Sequence, residues 1–302
     1  MSPTPKLVAI IGASGKVGLT TSRALRQSGV PVRAILRDAS KAAQLTDIGC
    51  EIAMADVQNT DEVAKAIGDA DAVQVIVPPA PQAPDTALQM RQAIESLAWA
   101  LEKTKPKRVL AISDYGAHVD QDIGMPTLCQ EIEERLGRLD CHKILLRSPE
   151  HMEGWGRAIP AAVASGVLPS FHDPLDQQFP TVSAPDVGLI SAELLMRGSI
   201  TGDNSTELFH VEGPQRYSAH DVASAVSQLL GRAVQAEAVP RSSWTAAFEK
   251  VMSGTLAELL VKANDAQNEG GLVDVEPNGQ VLHGKTELID ALKVIMLDKG
   301  QH

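Results

Sequence analysis

In the first half of the chain the apolar residues gather in short, mostly unbroken runs. Leu7–Ile11, Val32–Leu36, Glu51–Ala55, Ala72–Val77, Arg108–Ser113 and His142–Arg147 read as strands. Runs without polar alternation mark strands that are covered on both faces. Helical patterns fill the gaps: Lys16–Gln27, Ala39–Thr46, Asp61–Ile67, Asp85–Lys103 and Thr127–Leu136. Gly29 closes the first of these. Thr60 is the expected N-cap of the third, whose first turn is acidic. Pro78-Pro79-Ala80-Pro81 ends the fourth strand.

The second half has a different rhythm. Gly154–Ser165, Pro185–Met196 and Ser218–Leu230 read as helices, the last opened by Ser-Ala-His-Asp, close to a capping box. Glu207–Val211 and Val234–Val239 read as strands, and three more helical stretches lie near 241–252, 255–267 and 285–298. Gly166–Pro180, with Pro169, Pro174 and Pro180, reads as a loop, and so does the glycine-bearing stretch 268–284. Strands that alternate with helices imply βαβ units, right-handed crossovers and a parallel sheet. The expected fold is α/β: a doubly wound, Rossmann-type parallel sheet in residues 1–150. Residues 151–302 form a smaller, mostly helical C-terminal unit, some of whose segments return to the first.

Composition narrows the partners. A net charge of −11 argues against nucleic acid or an anionic membrane surface. Aromatic residues make up 3% of the chain, too few for base-stacking platforms. Cys50, Cys129 and Cys141 show no C-x-x-C spacing and fit a reducing compartment. No apolar run reaches the roughly 18 residues of a membrane span. The opening Met1–Lys6 has no signal-peptide pattern, so the cytosol is the expected location.

The most informative local motif follows the first strand. Gly12-Ala13-Ser14-Gly15-Lys16-Val17-Gly18 places three glycines between a strand and a helix. One glycine permits the tight turn, one lets a pyrophosphate approach the backbone, and one lets the helix pack close to the sheet. The helix N-terminus adds unpaired N–H groups and partial positive charge. A dinucleotide is the expected guest. About 20 residues on, NAD-binding chains carry an acid for the ribose 2′-hydroxyl. Here the second strand ends in Arg37, with Lys41 four residues later. A guanidinium suits a 2′-phosphate, which favours NADP(H) over NAD(H). Asp38 is the competing feature. Asp56 and Val57 are expected beside the adenine, and Val77 and Pro78 on the ribose side.

The chain resembles the NmrA-like group of atypical short-chain dehydrogenases over nearly its whole length. The opening glycine turn and Leu36-Arg37-Asp38 match that group's cofactor segments. Glu131–Leu136 followed by Ile144–Arg147 resembles its Glu-rich helix and Thr-Ile-Leu-Arg-Pro strand. Phe179–Gly188 and Glu212–Ser218 resemble two later segments, the second built on Gly-Pro. The resemblance implies a Rossmann domain, a small C-terminal domain and NADP(H) in the groove between them. The group includes quinone and azo reductases, isoflavone-type reductases and non-catalytic redox-sensing regulators. Two functions follow: hydride transfer to a small electrophile such as a quinone or azo compound, or cofactor sensing through a protein partner.

Catalytic candidates are few. The Tyr-x-x-x-Lys pair of ordinary short-chain dehydrogenases is absent, since neither Tyr115 nor Tyr217 has a lysine four residues on. Reductases of the group often carry a lysine early in the Glu-rich helix, where this chain has Cys129. Ser113 and Tyr115, at the end of the fifth strand, are candidates to orient and protonate a substrate. His151 stands where the group usually has an aromatic residue, and can act as acid or base near neutral pH. Trp155 suits either a pocket wall or the core. No metal-ligand spacing is present; His118 with Asp120 and Asp122 comes nearest and reads as a solvated loop.

Overall fold

The structure is a computed structural model that describes residues 5–197, 204–277 and 279–299. The opening Met1–Thr4, in which the sequence has no signal-peptide pattern, lies outside the described residues. In chain order the first half runs β1 Val8–Ile11, α1 Lys16–Gln27, β2 Val32–Leu36, α2 Ala43–Asp47, β3 Glu51–Met54, α3 Thr60–Ile67, β4 Ala72–Val75, α4 Thr86–Thr104, β5 Arg108–Asp114, α5 Met125–Gly137 and β6 His142–Ser148. The second half adds β7 Glu150–His151, α6 Ile159–Ser165, β8 Val167–Ser170, β9 Thr181–Val182, α7 Ala184–Met196, β10 Thr206–Glu212, α8 Ala219–Leu230, β11 Gln235–Ala238, α9 Trp244–Glu249, α10 Gly254–Asn268, β12 Gln280–His283 and α11 Leu288–Lys299.

Eight strands form one sheet in the order β12-β10-β6-β5-β4-β1-β2-β3, and every neighbouring pair is parallel. This is the doubly wound Rossmann arrangement, and β10 and β12 extend it from the second half of the chain. One face buries Val8, Ile10, Leu110 and Ile144 against α1 and α7, and the other buries Val73, Val75 and Val109 against α3, α4 and α5. Burying each such side chain contributes about 1.5–3 kcal/mol. The helices α1 and α7 pack closely because Gly188 has no side chain: a Cβ there would lie 2.6 Å from the Val17 carbonyl oxygen. A separate core of Met152, Trp155, Phe179, Tyr217 and Val222 belongs to the smaller unit. No helix among the described residues is long and apolar enough to cross a membrane.

Four local expectations are corrected. Asn59, not Thr60, caps α3, because its side chain accepts from the Asp61 and Glu62 N–H groups. The helix expected at Gly154–Ser165 is split into a 3-10 turn at Met152–Arg157 and α6, with Pro160 in the first turn of α6. The loop expected at 166–180 contains β8, which pairs with β11. The stretch 268–284 is not simply an exposed loop: it carries β12 at the sheet edge, and Leu272 and Val273 pack against Val119, Ile123 and Ala266.

Gln74 lies in the middle of β4 with 0% exposure, and neither side-chain amide atom has a hydrogen-bond partner among the described residues. An unsatisfied buried amide costs about 1–3 kcal/mol. Gln74→Met keeps the volume and removes the polar group, so it should raise the unfolding free energy by about 1–3 kcal/mol, read as a higher chemical-denaturation midpoint. A lowered midpoint would show that the amide is satisfied, for instance by buried water.

Candidate functional site: a dinucleotide groove and a carboxylate-lined edge

The turn after β1 is shaped by its glycines. Gly12 has φ +83°, a region that disfavours side chains, and a Cβ there would come within 3.0 Å of the Ile76 Cβ. At Gly18 a Cβ would run into the Gly12 carbonyl and lie 2.8 Å from the Ala13 Cα, so only glycine lets α1 sit this close. Gly15 is the N-cap of α1, which has no side-chain cap and no acid in its first turn. Its leading N–H groups and positive dipole end therefore suit a phosphate.

From this turn a groove of about 250 Å³ runs along the C-terminal edge of the sheet. Gly12 and Ser14, Arg37 and Lys41, Asp56 and Val57, and Val77 and Pro78 all line it. Eight of the expected cofactor residues thus converge from four separate loops. The other five lie off the groove wall. Ala13, Val17 and Gly18 are buried beneath the turn, while Gly15 and Lys16 are exposed at the start of α1. Arg37 makes no hydrogen bond or ion pair among the described residues. The Asp38 carboxylate turns back to its own loop, where Oδ1 accepts from the Ser40 N–H at 2.9 Å and the Ser40 hydroxyl at 2.7 Å. Those two hydrogen bonds hold its pKa below the usual carboxylate value.

The far wall of the groove is tied to the second half of the chain. The Pro81 carbonyl accepts from the Ser253 N–H at 2.7 Å, and the Gln82 side chain donates to the Val251 carbonyl at 3.3 Å. The Thr86 hydroxyl meets those of Ser253 and Thr255.

Beyond the groove, at the ends of β5, β6 and β10, the edge is crowded with paired charges. The Ser113 hydroxyl donates to Glu133 at 2.5 Å, and Arg147 grips Glu133 through two nitrogens at 2.8 and 2.7 Å. The third nitrogen of Arg147 reaches Glu276. Alongside, Arg216 holds both Glu212, at 2.7 Å, and Asp274, at 2.6 Å. Glu276 and Asp274 belong to the stretch once expected to be a free loop, so these ion pairs strap it over the sheet edge.

The catalytic candidates are therefore placed differently from expectation. Tyr115, expected as a proton donor, is 1% exposed, and its hydroxyl donates to Glu212 at 2.9 Å. Burial and the Glu212 charge push the phenol pKa well up. The Ser113 proton is likewise committed to Glu133. The His151 Nε2 hydrogen-bonds the Ser148 hydroxyl at 3.0 Å, and burial lowers its pKa, which favours the neutral ring. Glu153 accepts from the Ala184 N–H and the Ser183 hydroxyl, which fixes the start of α7. Glu150 pairs with His172, whose ring stacks on Phe179 at 3.7 Å. Trp155 is buried beside them in the core of the smaller unit. Cys129 lies near Asp114 and Glu133, and burial together with those charges raises its pKa far above the usual thiol value. Among the described residues, no cluster of three or more His, Cys, Asp or Glu side chains is placed to hold a metal.

Sequence reasoning missed Glu133 and Arg147 as a structural pair, although both carried a signal. Glu133 falls next to the buried stripe Leu128, Ile132 and Leu136 of α5, and Arg147 ends an apolar strand covered on both faces. Charges in such positions need partners.

Comparisons with known proteins agree with this geometry. Residues 12–133 match the NAD(P)H-binding family. A NAD(P)H azoreductase from Xenophilus azovorans is 24% identical over 234 residues, 77% of each chain. The fold matches that of an Escherichia coli NADPH-dependent quinone oxidoreductase solved with NADPH, with TM-score 0.76, 20% identity and coverage of 96% of this chain and 99% of that one. It also matches a Citrobacter sp. triphenylmethane reductase complexed with NADP(H), with TM-score 0.78, 16% identity and coverage of 95% and 99%. Residues 12–133 thus match the NAD(P)H-binding family, and the chain as a whole shares the fold of these solved structures.

Proposed function

We propose that the protein is a NADP(H)-dependent oxidoreductase that passes a hydride to a small electrophile such as a quinone or an azo compound. The observation that carries this reading is the convergence of the glycine turn, Arg37, Asp56 and Pro78 on one groove at the sheet edge. The backbone of residues 12–18 would hold the pyrophosphate. Arg37 and Lys41 would hold the 2′-phosphate, while Asp38 Oδ1 is turned back to Ser40. Asp56 and Val57 would flank the adenine, with Val77 and Pro78 on the ribose side. When bound, the nicotinamide would supply the hydride.

The chain's own residues supply placement and shelter. Ser113 and Tyr115 support the site through Glu133 and Glu212. The Ser148–His151 pair borders it at the end of β6. Residues 151–302, apart from the elements that join the main sheet, would form the acceptor-binding unit. The three unpaired thiols suit the cytosol.

The test is oxidation of NADPH by purified protein when 1,4-benzoquinone, azobenzene or an aldehyde is added. Acceptor-dependent oxidation supports the reading. Tight NADPH binding with no oxidation by any acceptor would instead favour a cofactor-sensing regulator, whose partner affinity should change with cofactor redox state.

A further inference from the structure

Hydride transfer to a neutral acceptor leaves one proton to be supplied. The site's obvious donors are committed elsewhere: Tyr115 to Glu212 and Ser113 to Glu133, with His151 favoured in its neutral form. One acidic side chain beside these networks is left out of their ion pairs. Glu133 and Glu276 share Arg147, Glu212 and Asp274 share Arg216, and Asp122 has Lys262. Asp114 has no ion pair among the described residues. Among the described residues its carboxylate accepts one hydrogen bond, from the Gly116 N–H at 3.1 Å through Oδ1.

Its position is that of a reacting group. Asp114 is the last residue of β5, half-buried, and in register with Ser148, which holds His151. In the sheet order β5 lies two strands from β1, on the side away from the adenine end of the groove. At about 4.8 Å per strand this places Asp114 roughly 10 Å along the edge from the glycine turn. A dinucleotide with its pyrophosphate at that turn extends its second half in this direction.

We infer that Asp114 is a catalytic acid, which gives its carboxyl proton to the acceptor as the hydride arrives. This rests on the proposed reductase function. With an azo acceptor, the hydride forms an N–H bond at one nitrogen and the Asp114 proton forms an N–H bond at the other. The N=N double bond becomes a single bond, NADPH becomes NADP⁺, and the Asp114 carboxylate regains a proton from water. The surroundings favour the protonated form. Burial pushes the Asp114 carboxyl up to about 6, and the Glu133 charge on α5 adds to this. The Gly116 hydrogen bond and the Arg147 charge on β6 oppose it, and Cys129 on α5 stays a neutral thiol. The proton is therefore retained where an ordinary aspartate has lost it.

The experiment compares wild type with Asp114→Asn, using NADPH and two acceptors. One is the neutral acceptor that wild type turns over, azobenzene or 1,4-benzoquinone. The other is a triarylmethyl cation, which needs only the hydride. The expected result is a loss of about 100-fold or more with the neutral acceptor and a loss of less than about threefold with the cation. Wild-type turnover of the neutral acceptor should fall above pH 6, whereas the variant's is flat. NADPH affinity, read by nicotinamide fluorescence, should change less than about twofold. In protein without cofactor, the carboxyl's raised pKa makes wild type lose stability relative to the variant as pH rises from 4 through 6. Equal losses with both acceptors, or an unchanged pH profile, would overturn the role of Asp114 while leaving the reductase reading intact. No turnover of any acceptor by wild type would overturn both.

Discussion

Arg147→Met is expected to destabilise the fold by about 3–5 kcal/mol, the usual cost of removing one partner from a buried ion pair. Arg147 is 5% exposed, and Glu133, which it grips through two nitrogens, is 9% exposed. The substitution would leave Glu133 buried without a cation, and the strap at Glu276 would lose its anchor. The sign follows from desolvation: an unpaired buried carboxylate costs far more than a methionine side chain recovers by packing. Glu133→Gln in the same chain should restore part of the loss, because the stranded charge is then gone. Urea unfolding of the two variants and wild type checks both statements. A loss below about 1 kcal/mol would mean that the pair is solvated and that the edge is open rather than strapped.

The second large effect concerns the cofactor. Arg37→Glu should weaken NADPH binding by about 100-fold, which corresponds to roughly 2.7 kcal/mol, and should change NADH binding by less than about fivefold. A charge-assisted hydrogen bond contributes about 1.5–3 kcal/mol, and a bidentate guanidinium–phosphate contact lies at the strong end. The expected selectivity rests on two observations. Arg37 lines the groove without an ion pair among the described residues, and the Asp38 Oδ1 is held by Ser40. Equal loss of both nucleotides would show that Arg37 shapes the loop instead of reading the phosphate. Unchanged NADPH binding would place the 2′-phosphate elsewhere, with Lys41 as the next candidate.

The parts of the fold that were legible in the sequence are those that local pattern determines. The runs Val8–Ile11 and Val32–Leu36 read as covered strands from their β-branched, apolar residues and flanking glycines, and three glycines at a strand-to-helix junction read as a tight turn under a helix. Thr60 was mistaken for a cap because Asn59 and Thr60 are both good cappers in adjacent positions, and only the backbone geometry decides between them. The strand β12 escaped notice because Gln280–His283 has just two apolar residues, too few to reveal a period, and its pairing depends on β10, some 70 residues earlier. The cofactor half of the site was readable for the same reason as the strands: each residue follows directly from the end of a strand. The edge beyond it was not. Its bonds join Tyr115 to Glu212, Arg216 to Asp274 and Arg147 to Glu276, across separations of 97, 58 and 129 residues, and no local spacing reports such pairs. Asp114 becomes visible only once these networks are known, as a carboxylate beside them that takes no part in their ion pairs.

The measurement that tests the central claim most directly is titration of the purified protein with NADPH and, in parallel, NADH, followed by nicotinamide fluorescence. The account predicts saturable binding of NADPH, weaker binding of NADH, and loss of the NADPH signal when 1,4-benzoquinone or azobenzene is added. Failure of both nucleotides to bind would contradict it, because the groove from Gly12 to Pro78 would then be architecture without a guest.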